Sequence, residues 1–215
     1  MELAIESLPY LWQGLLITLA VSALTVVSSL IIGVLLGTLV VYGPPPVRWL
    51  IVGYSDIIRG IPVIVLIFSV YYGLPPLGIN LGNFPSAVVA LTAFASAQVT
   101  EIARGALQSI HFGQVEAGKA IGLGFWPRMF YVVFPQALRR FLPPWINNVT
   151  DTVKGSALVS LVGVIDLMLS IQQVIGRVYE PMPLYIVGSL IYFAINFSLS
   201  QLSRRLEMRF AYIRE

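Results

Sequence analysis

The chain has 215 residues, no cysteine, one histidine and a formal net charge of +3 at pH 7. Hydrophobic residues make up 57% of the sequence and charged residues 11%, whereas an average soluble domain has about 45–50% and about 25%. This composition indicates an integral membrane protein, and without cysteine the single histidine, His111, cannot form a usual multi-ligand metal site.

Five apolar segments are predicted to cross the membrane as α-helices, because a span needs roughly 20 mainly apolar residues. Their limits are predicted at about residues 11–42, 53–73, 85–110, 144–174 and 184–203. The first span ends at Gly43, before three prolines that provide no backbone donors. The third begins just after Asn83, a residue type that caps helices well. Gly33 and Gly37 form a G-x-x-x-G motif that permits close helix approach, although such glycine spacing also occurs by chance.

Lysines and arginines are concentrated around the loops that follow the first, third and fifth spans. They are Arg48, Arg59, Arg104, Lys119, Arg128, Arg139, Arg140, Arg204, Arg205, Arg209 and Arg214. The opposite side has only Arg177, and Lys154 falls within the fourth span. Because loops rich in Lys and Arg stay in the cytoplasm, we expect the N-terminus outside and the C-terminus in the cytoplasm. Basic residues at span ends are typical of membrane orientation, so we expect no nucleic-acid partner.

The loop between the third and fourth spans, at about residues 111–135, contains a motif with fixed spacing. Glu116-Ala117-Gly118 is followed by Gly122 and then, after nine more residues, by Val132-Val133-Phe134-Pro135. This pattern resembles the EAA loop of the membrane-spanning subunits of ATP-binding-cassette (ABC) importers. That loop reads E-A-A, three residues, G, nine residues, I-x-L-P. Here Gly118 stands for the second Ala, Val132 for Ile and Phe134 for Leu.

Other short segments resemble the polar amino acid permeases of the histidine, glutamine and arginine type. They are Arg59-Gly60-Ile61-Pro62, Glu101-Ile102-Ala103-Arg104-Gly105, Gln108-Ser109-Ile110, Pro135-Gln136-Ala137-Leu138-Arg139-Arg140 and Leu158-Val159-Ser160. The resemblance implies an all-α polytopic fold with about five transmembrane helices and a cytoplasmic coupling helix. We expect residues 1–215 to form one permease domain in the bacterial cytoplasmic (inner) membrane.

The same resemblance implies the partners of the chain. They are two copies of an ABC ATPase, a second permease chain that is identical or different, an extracytoplasmic solute-binding protein and an amino acid substrate. No phosphate-binding G-x-x-x-x-G-K-S/T motif occurs in the chain. We therefore expect no enzyme activity, no catalytic residue and no cofactor in this chain, and we expect ATP and Mg to bind to the ATPase.

The loop at about residues 111–135, the coupling segment, has suitable chemistry for docking on an ATPase. Val115, Ala117, Ala120 and Ile121 offer apolar contacts, and Glu116 and Lys119 form an i,i+3 pair. Glycines at positions 118 and 122 permit close approach. An amphipathic turn on the membrane surface is the alternative, but we favour docking because every gap of the motif is met. The residues expected to couple to the ATPase are Glu116, Ala117, Gly118, Lys119, Gly122 and Pro135.

Polar residues recur at three- and four-residue steps in the predicted fourth span. They are Asn147, Asn148, Asp151, Lys154 and Gly155, and the spacing predicts that they share one helical face. Charges within a span are costly and usually face a cavity or a partner. We favour a substrate or gate role over a contact between subunits. Lys154 suits an α-carboxylate, whereas Asp151 or Glu101 suits an α-ammonium. The expected substrate pathway comprises Gln98, Glu101, Asn147, Asn148, Asp151 and Lys154.

Two other functions are compatible with some of these residues. An ion-coupled secondary transporter could use Asp151 and Glu101 as proton sites, but five spans without a visible inverted repeat argue against it. An intramembrane hydrolase would need Asp151 and Asp166, which lie about 22 Å apart if one helix contains both. Within the importer class, a related small zwitterionic solute also fits, because Lys154-Gly155-Ser156-Ala157-Leu158 replaces the K-D-T-S-L common in the permease family.

Overall fold

The computed structural model describes residues 7–211, and these residues form helices and connecting loops without a β-strand. The α-helices are α1 Leu8–Tyr42, α2 Pro45–Gly60, α3 Val63–Gly73, α4 Asn83–Gln108, α5 Phe112–Ala120, α6 Phe125–Arg128, α7 Phe134–Gly155, α8 Leu167–Val178 and α9 Pro181–Ala211. Short 3-10 helices occupy Pro75–Leu77 and Ser156–Val162, and a π-helical turn occupies Met129–Val133. The all-α prediction is confirmed. The termini and Arg214, whose side of the membrane was predicted above, lie outside the described residues.

Three described helices are individually long and apolar enough to cross a membrane, namely α1, α4 and α9. Two further candidate spans are broken. The pair formed by α2 and α3 is bent by 102°, and the segment from Phe125 to Val162 meets α8 at a bend of 51°. If each bent pair crosses as one unit, the described residues contain five spans. The fold is thus a polytopic helical bundle with about five spans.

The bend between α2 and α3 follows from Pro62. Proline lacks a backbone N–H, and it disfavours helical backbone angles at the residue before it. Ile61 and Pro62 accordingly have ψ angles of 132° and 135°, and α3 starts at Val63. The segment predicted as the second span, at about 53–73, therefore falls on two helices that meet nearly at a right angle.

The fourth predicted span, at about 144–174, is also divided in the structure. The α-helix ends at Gly155, a 3-10 helix follows, and Gly163 then adopts a left-handed conformation with φ of 79°. Asp166 starts α8 by accepting a hydrogen bond from the Leu169 N–H at 2.9 Å. The expectation that Asp151 and Asp166 lie on one continuous helix is therefore wrong.

The core of the bundle is the packing of α1 against α4, and glycines determine its closeness. A Cβ added at Gly33 would lie 2.5 Å from the Cβ of Val99, and one at Gly37 would lie 2.6 Å from the Cβ of Ala103. No real Cβ fits at such distances, so the structure favours close helix approach over chance as the reason for this G-x-x-x-G motif. Small residues at helix interfaces are the usual basis of packing within membranes, where lipid is as apolar as the side chains.

A separate apolar cluster supports the coupling segment. Leu107 of α4 and Ile110, just after α4, pack with Met129 and Val133 of the π-helical turn. Val115 of α5 packs against the same cluster. The short helix α5 is therefore attached to the ends of the long helices rather than suspended on a free loop.

Candidate functional site

The helix α5 has a defined cap at each end. At its beginning, His111 has an extended backbone, and its Nδ1 accepts a hydrogen bond from the Gly113 N–H at 3.0 Å. At its end, the Gly122 N–H donates to the Lys119 carbonyl at 2.9 Å and the Leu123 N–H donates to the Gly118 carbonyl at 3.0 Å. These two bonds form a Schellman motif, which needs a left-handed residue at its centre.

Gly122 supplies that left-handed residue, with φ of 80°. Apart from Gly122 itself and its two chain neighbours, no described atom lies within 4 Å of the position that its Cβ would take. The sequence predicts that this glycine permits close approach of the ATPase. Within the described chain it has a stereochemical role, because an L-amino acid with a side chain is strained in this conformation.

Gly118, in contrast, lies at a crowded position, because a neighbouring side chain covers it. An added Cβ would lie 3.2 Å from both Cγ and Cδ of Arg128, whose side chain crosses α5 at this point. The Arg128 guanidinium then donates to the Leu123 carbonyl at 3.3 Å. Arg128 therefore holds α5 against the start of α6, and the third motif position accepts only a small residue without movement of this arginine.

The other side of α5 is exposed. Lys119 Nζ lies 2.8 Å from Glu116 Oε1, and about half of each side chain is accessible, 52% and 45% respectively. Ala117 and Ala120 are exposed, as is Ile121. Such a surface, with small and branched apolar side chains around one ion pair, is suited to a shallow protein groove.

Pro135 is placed in the first turn of α7. Its missing N–H is harmless at this position, because the first turn of a helix has no intrahelical partner for that donor. The proline thus fixes where α7 begins, directly after the π-helical turn. The predicted coupling residues are therefore brought together in one segment, from α5 to the start of α7.

A second cluster joins α2 to α4 through Glu101. Its Oε2 accepts a hydrogen bond from Arg104 Nε at 3.0 Å and lies 4.0 Å from Arg59 Nη1. Arg104 Nη1 also donates to Gln108 Oε1 at 3.0 Å. Two of the sequence motifs thus meet in space, immediately before the bend at Pro62. The Glu101 carboxylate already has two cationic neighbours within the chain, which makes it a less suitable partner for a substrate ammonium than Asp151.

Gln98 and Asn148 meet at the interface between α4 and α7. The Asn148 side-chain amide donates a hydrogen bond to Gln98 Oε1, and Asn148 is buried. The prediction of one common face for Asn147 and Asn148 is therefore wrong. Successive residues on an α-helix lie about 100° apart, since a turn has 3.6 residues, so Asn148 faces α4 while Asn147 does not.

One face of α7 forms an exposed stripe, hereafter the α7 stripe, composed of Arg140, Pro144, Asn147, Asp151 and Lys154. Lys154 Nζ lies 3.4 Å from Asp151 Oδ1, yet the two side chains are 59% and 71% exposed. Charges in a predicted span that are not covered by their own chain usually face water or a partner.

Arg140 was absent from the predicted pathway, although its spacing could have revealed it. It lies four residues before Pro144 and seven before Asn147, so it continues the helical face of the α7 stripe toward the coupling segment. Its Nη1 donates a hydrogen bond to the Ser109 carbonyl. Arg140 thus contacts the segment that leads from α4 into α5.

The described residues contain no group of three or more His, Cys, Asp or Glu side chains that could hold a metal ion. One region presents small apolar side chains around the ion pair of Glu116 and Lys119, and the other presents charges along a helix.

Comparison with known proteins gives concordant matches over nearly the whole chain. Residues 29–212 match the family model described as "Binding-protein-dependent transport system inner membrane component". The chain is 36% identical over 207 residues to the "Probable glutamine ABC transporter permease protein GlnP" of Bacillus subtilis (strain 168), with 95% of each protein covered. It is 34% identical over 205 residues to the "Glutamine transport system permease protein GlnP" of Escherichia coli (strain K12), with 94% of each covered.

A solved structure shows the same arrangement of helices. It is described as "Crystal structure of an amino acid ABC transporter with histidines", and its chain is 30% identical to this one. The two superpose with a TM-score of 0.89 over 96% of each chain. The overall fold of the described chain is therefore also found by experiment.

Proposed function

Because the chain belongs to the family of binding-protein-dependent transport system inner membrane components, we propose that it moves polar amino acids across the membrane. It is the multi-pass inner-membrane permease subunit of an ABC importer, and ATP is hydrolysed by a separate ATPase subunit. The two relatives described above are named for glutamine transport, which supports a polar amino acid as the substrate. A related small zwitterionic solute is the second candidate, because it would present the same two charges.

The observation that carries the proposal is the geometry of α5. Its N-cap at His111, its Schellman end at Gly122 and the cover of Arg128 on Gly118 make it a short, well-defined element. The cluster around Met129 attaches this element to α4 and α7. Movement of an ATPase bound to the exposed side of α5 would consequently be passed to the long helices. The proposed coupling residues are Glu116, Ala117, Gly118, Lys119, Gly122 and Pro135.

The proposed assembly contains two permease chains, two ATPase subunits and an extracytoplasmic binding protein. The proposed orientation places the N-terminus outside, with the coupling segment and the C-terminus in the cytoplasm. The positive charges around α5 and at the end of α9 support this orientation. The α7 stripe supports a second permease chain, because its charges would then border a pathway between the two chains rather than lipid.

The proposed pathway uses the α7 stripe for the two charged groups of an amino acid. Lys154 would approach the α-carboxylate and Asp151 the α-ammonium, since both side chains are largely accessible. Gln98 and Asn148 would contribute amide groups beside it, and Glu101 would mainly fix α2 to α4. Asn147 lies one turn before Asp151 on the same face.

Uptake into vesicles tests the proposal. The permease would be reconstituted with its ATPase, the binding protein would be added to the solute side, and uptake of labelled glutamine would be followed. We expect uptake that requires ATP and the binding protein and that persists when ionophores abolish ion gradients. Uptake that needs an ion gradient but no ATP would instead support the secondary transporter.

A further inference from the structure

An apolar groove of about 600 Å³ lies between α1, α4 and the first half of α7. Its volume falls in the range of about 300–1,000 Å³ that is typical of ligand sites. Ala103 and Ala106 form its base on α4, and Phe130, Phe141 and Trp145 are among its walls. The large side chains around small ones leave a space that the chain itself does not fill.

The lining of this groove indicates a hydrocarbon ligand rather than the transported amino acid. Among the described lining residues, only Thr38 and Trp145 have polar side-chain atoms. The Thr38 hydroxyl donates to the Val34 carbonyl at 2.8 Å. This donor is therefore already satisfied within α1. Charged groups buried there would lack partners, which is costly.

The groove lies at the end of the bundle nearest α5, because Phe130 and Phe134 belong both to its lining and to the coupling segment. On α7 the lining residues extend from Phe134 to Trp145, a rise of about 16 Å at 1.5 Å per residue, which is about half of the roughly 30 Å hydrocarbon core. The sequence predicts that the fourth span starts only at about residue 144, whereas the broken candidate span of the structure also includes this first half of α7. If this half of α7 lies in the membrane, the groove lies in the leaflet nearest α5.

A cation is available beside this groove. Arg139 follows Leu138 on α7 and lies one helical turn from both Pro135 and Leu142, which are lining residues. Its side chain is exposed and forms no hydrogen bond or ion pair with any residue between positions 7 and 211. Arg104 is different, because Glu101 neutralises it.

We propose that this groove binds one acyl chain of an anionic phospholipid and that Arg139 binds the phosphate of its headgroup. The cytoplasmic leaflet is rich in anionic lipids, which basic pockets between spans can recognise. Only the assignment to the cytoplasmic leaflet rests on the proposed function. The bound chain packs against Phe130 and Phe134, so the lipid contacts the coupling segment directly.

Native mass spectrometry of the full-length permease in detergent micelles tests this site. The protein is titrated with phosphatidylglycerol or with phosphatidylcholine that has the same acyl chains. Wild-type protein is expected to bind phosphatidylglycerol more tightly. Arg139→Gln should lower that affinity about fivefold, the effect of one arginine beside an anionic headgroup, and should leave phosphatidylcholine binding unchanged. Leu142→Trp, which fills the groove, should weaken both lipids.

Arg177→Gln is the matched control, because it removes the same charge on the opposite predicted side and should change neither affinity. Equal binding of the two lipids by the wild type would overturn the proposal, as would full retention of the preference in Arg139→Gln. A loss of subunits in Leu142→Trp with unchanged lipid binding would assign the groove to a contact between copies. If Leu142→Trp does not fold, the test rests on the preference for phosphatidylglycerol, which Arg139→Gln should reduce and Arg177→Gln should retain. Transport is not measured, so a failure here is distinct from a failure of the proposed function.

Discussion

At the scale of single residues, the motif glycines of the coupling segment have different physical roles. Gly122 adopts a left-handed backbone conformation, whereas Gly118 packs closely under the side chain of Arg128. The motif spacing predicts that both positions matter. It could not separate the two reasons, because the first depends on a dihedral angle and the second on a side chain ten residues away in sequence.

Substitution of Gly122 tests the stereochemical role. Gly122→Val should strain the end of α5 by about 1–2 kcal/mol, the cost of a left-handed L-residue, and should weaken ATPase binding by about fivefold to thirtyfold. Gly122→Asn is the matched control, since asparagine tolerates this conformation, and it should retain most of the affinity. The measurement is titration of purified permease with its ATPase. Equal weakening by Val and Asn would contradict the stereochemical role.

The α7 stripe makes a separate prediction about the solute. Asp151→Asn or Lys154→Ala should alter which of glutamine, histidine and arginine is taken up best. Each lost charge-assisted bond should reduce uptake of the preferred solute about tenfold or more. Competition experiments in reconstituted vesicles measure this selectivity, with Glu180→Gln, an exposed change outside the stripe, as the control. Unchanged uptake and unchanged selectivity in both variants would show that the α7 stripe is structural.

At the scale of helices, long uninterrupted elements were predictable and broken ones were not. The third predicted span, about 85–110, corresponds closely to α4 at Asn83–Gln108, because a continuous apolar run leaves few alternatives. The break at Pro62 is readable from proline chemistry, yet the apolar run on both sides obscured it. The sequence predicts that Asp166 lies within a helix, whereas in the structure it caps α8. Hydropathy alone does not distinguish a buried cap from a mid-span charge.

Contacts between residues far apart in the sequence could not be predicted either. The contact of Arg59 with Glu101 joins residues 42 positions apart, and the bond between Gln98 and Asn148 joins residues 50 positions apart. Both depend on how α4 packs against its neighbours. The motifs identified Arg59 and Glu101 individually, but only the three-dimensional packing shows that their side chains approach each other to 4.0 Å.

The packing of α1 on α4 gives a prediction at this scale. Gly37→Leu should destabilise the protein by about 1–3 kcal/mol, because the new side chain would overpack the helix contact. Gly105→Leu is the control on α4, since no described atom lies within 4 Å of its Cβ position. Thermal unfolding of the purified protein in detergent measures the difference. A similar melting temperature for both variants would contradict the close contact.

At the scale of the whole molecule, the lack of cysteine makes the proposed orientation directly testable. Ile121→Cys on α5 and Glu180→Cys before α9 each introduce one thiol into a chain that has none. A maleimide that cannot cross the membrane should label Glu180→Cys from outside intact cells and Ile121→Cys only after permeabilisation. Bound ATPase should protect Ile121→Cys. Labelling of Ile121→Cys in intact cells would show that α5 faces the outside and would contradict the proposed orientation.

If α5 transmits the movement driven by ATP hydrolysis to the membrane helices, its integrity should determine how much amino acid is taken up per ATP hydrolysed. The most direct measurement follows uptake and hydrolysis in one vesicle preparation. Amino acid uptake and phosphate release are recorded together for the wild type and for Glu116→Ala. We expect the wild type to couple the two, whereas Glu116→Ala inserts normally but takes up amino acid poorly relative to the ATP it consumes. Full uptake by Glu116→Ala, at the wild-type ratio of amino acid to ATP, would contradict the account.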